Sequence, residues 1–178
     1  MAASLVLFVV FLRISQITLT HFRKGSAAPA YFIVVGLTVA GSFLLAWIGA
    51  KVDVPIWPWQ LVAMVGGILS IVIMQLAIEP SKGRDFGIVF ADEASQSLVR
   101  SGIYGRVRNP FYLGYLIYWL AWVPATGFHL LAFGFLFALT VVYTIAARQE
   151  EAMLASRFGA EYEVYLAQTG RFLPKLLD

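Results

Sequence analysis

Residues 111–147 form a run of 37 residues without one charged side chain. As a single straight helix this run would be about 55 Å long at ~1.5 Å per residue, nearly twice the ~30 Å hydrocarbon core of a bilayer. Pro124-Ala125-Thr126-Gly127 interrupts it near its middle. The run therefore reads as a helical hairpin that crosses a membrane and returns. The return brings two polar clusters to one membrane face. Arg106, Arg108, Asn109 and Pro110 precede the hairpin, and Arg148, Glu150 and Glu151 follow it.

The rest of the chain agrees with a membrane setting. Hydrophobic residues make up 60% of the 178 residues and charged residues 13%, where a soluble domain carries about 25% charged. The length fits one domain. Cysteine is absent, which excludes disulfides, thiolate metal sites and cysteine nucleophiles. The two histidines, His21 and His129, are expected at opposite faces, so no metal site is expected. The net charge of +3 is carried largely in loops, where topology accounts for it better than nucleic-acid binding does. The first twelve residues lack the basic start and small-residue cleavage site of a signal peptide and are expected to remain.

The sequence predicts an all-α, polytopic membrane protein with about five transmembrane helices. Spans are expected at 1–20, 31–50 and 56–78, followed by the two halves of the hairpin. Residues 79–108 form the only sizeable polar loop. The whole chain, 1–178, reads as one membrane-embedded domain. Three helices lie in 1–78, and the loop, hairpin and C-terminal helix in 79–178 form the site. Trp57 and Trp59 are expected at the membrane interface, as are Trp119 and Trp122 at the far side. Gly36 and Ala40, four apart, and Gly66, Gly67 and Ser70 suit close helix approach. Arg13 and Gln75 fall inside spans; Arg13 is expected to be covered by neighbouring helices and Gln75 to hydrogen-bond between helices, with polar lining for a ligand or substrate inside the bundle as the alternative for each. Residues 148–168 are expected to form an amphipathic helix, with Leu154, Phe158, Tyr162 and Tyr165 on one stripe. Glu151 falls within that stripe and Glu150 at its edge. With five spans, residues 21–30, 79–110 and 148–178 share a face that carries eleven of the thirteen Lys and Arg residues. The positive-inside rule makes that face cytoplasmic, with the N-terminus external.

Arginines, an asparagine, tyrosines and paired carboxylates on one face suit a zwitterion with an aromatic part. S-adenosylmethionine has a carboxylate for arginine or backbone N–H groups, an ammonium and a sulfonium for glutamate and tyrosine, and an adenine for apolar stacking. Glycines at 102, 105 and 114 permit close backbone approach. The plain alternative is that Arg106 and Arg108 anchor to lipid headgroups and the glutamates serve a helix end.

Two ordered motifs sharpen the reading. Residues 98–114, from Leu98-Val99 through Gly102-Ile103-Tyr104 to Arg108-Asn109-Pro110-Phe111-Tyr112-Leu113-Gly114, resemble the pattern L-V-x-x-G-P-Y-x-x-x-R-H-P-x-Y-x-G. Glu150-Glu151, Leu154, Phe158-Gly159, Glu161-Tyr162 and Tyr165, closing in Arg171-Phe172-Leu173-Pro174, resemble the E-E signature of the same group. This is the isoprenylcysteine carboxyl methyltransferase and phospholipid methyltransferase group of integral membrane enzymes. The resemblance covers about residues 95–174.

It implies S-adenosylmethionine-dependent methyl transfer to a lipophilic acceptor drawn from the bilayer, such as an isoprenylcysteine-like carboxylate or a phospholipid amine. By motif position, Tyr104, Arg108, Asn109, Pro110, Tyr112, Gly114, Glu150, Glu151 and Tyr162 would bind the cofactor. Glu151, Arg108 and Asn109 would be the catalytic group, with Glu151 as a base for an amine acceptor. Arg171 would close the site or hold an anionic acceptor. Asn109 stands where the family usually has histidine, and Ile103 where it usually has proline. Asparagine cannot take a proton at neutral pH, so any role needing an imidazole base there is in doubt. Two other readings compete. One is an NADPH-dependent membrane reductase, because sterol reductases share this C-terminal architecture, although paired glutamates would repel a polyphosphate. The other is a non-catalytic membrane protein that retains the fold.

Overall fold

A computed structural model describes residues 2–21, 29–52, 57–82 and 97–175. The chain forms six α-helices among the described residues: α1 (Ala2–His21), α2 (Pro29–Lys51), α3 (Trp57–Ser81), α4 (Pro110–Ala125), α5 (Leu130–Phe158) and α6 (Ala160–Gln168). A single 3-10 turn, Gly102–Gly105, precedes α4. By length and composition α1, α2, α3 and α5 can each cross a membrane. At 16 residues α4 is about 24 Å long at ~1.5 Å per residue, short for a free-standing span. It is instead the buried centre of the bundle, covered by α3, α5 and α1.

Contacts at the two ends of the bundle show how the helices alternate. At one end the Ala3 N–H donates to Gln60 Oε1 at 3.0 Å, and Trp59 meets Phe128 edge-on. At the other end His21 Nε2 lies 2.9 Å from Ser81 Oγ, and its ring lies 5.3 Å from that of Phe111. The helices therefore run up and down in turn. Between the ends, hydroxyls join helix to helix. Ser70 Oγ donates to the Gly114 carbonyl at 2.7 Å, Ser42 pairs with the Tyr118 hydroxyl at 2.8 Å, and Thr18 with that of Tyr115 at 2.6 Å. Such bonds satisfy polar groups where no water is available. Gly114 has a second reason to be glycine, since a Cβ there would sit 2.8 Å from Met74 Cγ.

Several expectations change. Trp119 and Trp122 are fully buried, not interfacial; Trp119 stacks on Phe135 at 5.6 Å. Gly36 and Ala40 face outward, and Gly41 is the α2 glycine that meets Phe135 and Trp119. Arg13 and Gln75 are exposed on the outer faces of α1 and α3, not lining the interior. Arg13 donates to Gln16 Oε1 of its own helix at 2.6 Å. These helices are apolar around most of their circumference, so periodicity does not say which face is covered.

The expected helix over 148–168 is also divided. Residues 148–158 continue α5, because Ala, Arg, Gln, Glu, Met and Leu propagate a helix readily. At 29 residues α5 is about 43 Å long at ~1.5 Å per residue. Its uncharged part, 130–147, matches the hydrocarbon thickness, and 148–158 stand beyond it. Gly159, at φ 50°, then ends α5 and starts α6.

Candidate active site

The site lies where α5 leaves the apolar layer. Pro110 occupies the first turn of α4, where its missing N–H costs nothing. Asparagine is a favoured N-cap, yet the Asn109 side chain makes no cap hydrogen bond. Its Nδ2 donates instead to Glu151 Oε1 at 2.9 Å. The backbone of 106–109 is held by the C-terminal segment. Arg108 N–H donates to the Gly170 carbonyl at 2.9 Å, Asn109 N–H to that of Arg171 at 3.1 Å, and Gly170 N–H to that of Arg106 at 3.1 Å. Val107 and Gly170 thus form a short parallel bridge.

Glu151 is the hub of the cluster and is only 6% exposed. Arg108 Nε donates to its Oε1 at 3.2 Å. Arg171 donates from Nε at 3.1 Å and from Nη2 to Oε2 at 2.8 Å. Burial alone would raise its pKa; the Arg171 hydrogen bond and the charges of Arg108 and Arg171 outweigh burial and hold the carboxyl below its usual value. Arg108 reaches further, donating from Nη1 to the carbonyls of Thr169 and Leu166. Lys175 donates to those of Leu166 and Ala167. Two cations therefore cap the C-terminal end of α6.

Glu150 is in a different environment. It is half-buried, and among the described residues it has no ion pair. Burial and the neighbouring Glu151 carboxylate push its pKa up to about 7, against a smaller opposing effect of the Tyr112 hydroxyl.

Beside these groups lies a small, partly open cleft. Arg108, Asn109, Glu150 and Glu151 line it with Tyr104, Tyr162 and Tyr165. The Tyr165 hydroxyl donates to the Tyr104 carbonyl at 2.8 Å. The Tyr162 hydroxyl is buried without a hydrogen-bond partner among the described residues. Such a group in a cleft wall suits a polar ligand atom.

The structure thus gathers Tyr104, Arg108, Asn109, Glu150, Glu151 and Tyr162 around one cleft and joins Arg171 to it through Glu151. Tyr112 reaches it through Glu150. Pro110 and Gly114 shape α4 behind it. Arg13 and Gln75 are not part of it. Sequence reading gave no role to Tyr165, Thr169 or Gly170, which set the geometry of the far wall. Tyr165 was visible on the apolar stripe; Gly170 carried no signal.

A family model described as phospholipid methyltransferase matches residues 59–161. The chain belongs to this family. The matched residues contain the whole of the hairpin and both clusters at its ends. They stop one residue before Tyr162, so the C-terminal wall of the cleft lies outside them. Comparison with individual curated proteins finds no match. Family and fold together make this a membrane methyltransferase-family protein with four helices able to cross a bilayer among the described residues.

Proposed function

We propose that the protein transfers a methyl group from S-adenosylmethionine to an amine on a lipophilic acceptor, at the membrane face that holds Glu150 and Glu151. The observation that carries this reading is the convergence of Arg108, Asn109, Glu150 and Glu151, from motifs at either end of the hairpin, on one cleft. The donor set fits the cofactor. Among the described residues, Glu150 is a carboxyl group without an ion pair that can meet an ammonium or sulfonium, and the buried Tyr162 hydroxyl has no hydrogen-bond partner. A polyphosphate nucleotide suits it less, because Glu150 would repel it.

When bound, S-adenosylmethionine supplies an electrophilic methyl carbon. The residues supply the rest. Tyr104, Tyr162 and Tyr165 exclude water and orient the reactants. Glu150 is poised to take the proton that an ammonium acceptor must lose, since its pKa of about 7 lies near working pH. With the cofactor bound, Glu150 would take the proton that the acceptor nitrogen gives up in exchange for the methyl group, the thioether being the leaving group. A carboxylate acceptor would meet a like charge there, which favours an amine such as a phospholipid headgroup. Glu151, expected from sequence to be the base, has its oxygens engaged by Arg108, Asn109 and Arg171.

The test is calorimetric titration of the detergent-purified protein with S-adenosylmethionine and, separately, NADPH. Saturable binding of the first, lost in Arg108→Ala, is the expected result. Binding of NADPH alone would replace methyl transfer by reduction, and binding of neither would leave a non-catalytic protein.

A further inference from the structure

The two adjacent acids are held so differently that one function for both does not follow. An ionised carboxylate has about four lone-pair sites. Glu151 fills them with Arg108 Nε, Asn109 Nδ2 and the Nε and Nη2 of Arg171. These partners come from two places: the start of α4, and the segment after α6. Glu151 itself stands on α5. Three elements far apart in sequence therefore meet on one carboxylate.

The consequence of that meeting is the far wall of the cleft. The segment 169–171 is pinned to 106–109 by the backbone bonds described above, and Arg108 and Lys175 hold the end of α6. Tyr162 and Tyr165 stand on α6 and face the cleft. If the Arg171 guanidinium leaves Glu151, one of the three anchors of this segment is gone, and the backbone bonds and the Arg108–Thr169 bond remain. Arg171 is the accessible half of the pair, with its side chain 33% exposed against 8% for Glu151.

We propose that Glu151 is a positioning residue: with Arg171 it latches the C-terminal segment, and it acts on the ligand only through the placement of Tyr162. This rests on the methyl-transfer reading for the identity of the ligand but not for the latch itself.

Hydrogen exchange, followed by mass spectrometry on the ligand-free protein in detergent, tests the latch. Glu151→Gln and Arg171→Met should each speed exchange of the amides in 160–173 and leave α1 to α3 at the parental rate. The double variant should open the segment no further than either single change. Arg171→Lys should open it less than Arg171→Met, because one ion pair can survive. Glu150→Gln should leave it closed. S-adenosylmethionine titration is the second readout. Arg171→Met should weaken binding about tenfold, the scale of one charged hydrogen bond, and lose most of that effect in a Tyr162→Phe background. Parental exchange in both Glu151→Gln and Arg171→Met, or equal opening by Glu150→Gln, overturns the latch. Full additivity of Arg171→Met with Tyr162→Phe assigns Arg171 to the ligand directly and overturns action through Tyr162. Absence of binding in the parent removes the methyl-transfer reading and, with it, action on the ligand, while the exchange result still decides the latch.

Discussion

Glu150 and Glu151 differ by one position and face opposite electrostatics. Arg108, with its side chain 8% exposed, depends on Glu151 for charge balance. Glu151→Ala would leave that guanidinium buried beside its own helix cap. The expected cost is on the order of 3 kcal/mol, as for other buried pairs that lose one partner. A large drop in the melting temperature of the detergent-solubilised protein would show it. Glu79→Ala should change little, because the Glu79–Lys82 pair is exposed on both sides. Glu150 has the opposite sign. Its folded pKa, about 7, lies above the unfolded carboxyl value, so ionising it disfavours the folded state. The stability from its protonated form is complete below the unfolded pKa and lost as pH rises through about 7. Glu150→Gln should therefore melt near the parent at pH 4 and above it at pH 8. A gap independent of pH would refute the shift. The stripe of Leu154, Phe158, Tyr162 and Tyr165 placed Glu151 inward from sequence alone. It did not show which acid is ion-paired, because that depends on Arg171, across the break at Gly159.

The hairpin and the helix after it were legible to different depths. A run without charges, broken by Pro124 and Gly127, leaves a membrane chain little choice but to turn back, and α4 and α5 do so. The end of α5 was not legible, because the 4, 4, 3 spacing of its stripe continues across Gly159. A helical period does not register one residue at positive φ. Gly170 is similar: nothing in the sequence marks it, yet a Cβ there would fall 1.7 Å from the Leu173 carbonyl oxygen. Gly170→Ala should therefore force the segment after α6 off the 106–109 backbone and lower both melting temperature and cofactor binding. Gly134→Ala, where a Cβ meets nothing within 4 Å, is the matched control and should be neutral. Equal effects of the two would mean that the parallel bridge does not hold the cleft together.

At the scale of the molecule, the alternation of helices ties the site to one membrane face. His21, Ser81, Phe111 and Glu151 lie at one end of the bundle; Ala3, Gln60 and Phe128 lie at the other. Among the described residues, Lys82, Arg100, Arg106, Arg108, Arg148, Arg157, Arg171 and Lys175 belong to the site end, and Lys51 to the other. Lysine and arginine resist translocation, so this end is expected to be cytoplasmic. That Arg13 and Gln75 stand on outer faces was beyond reach of this argument, since charge counts orient a bundle without rotating its helices. The orientation itself can be measured cleanly, because the chain has no cysteine to remove. Leu130, at the start of α5, and Ser156, near its end, are both exposed. In sealed vesicles with the native outer face outward, a membrane-impermeant maleimide should label Leu130→Cys and spare Ser156→Cys until the vesicles are opened. The reverse pattern would put the cleft outside the cell, out of reach of a cytoplasmic cofactor pool. Labelling of both without opening would mean that α5 does not cross, and the hairpin would then lie on the membrane instead of through it.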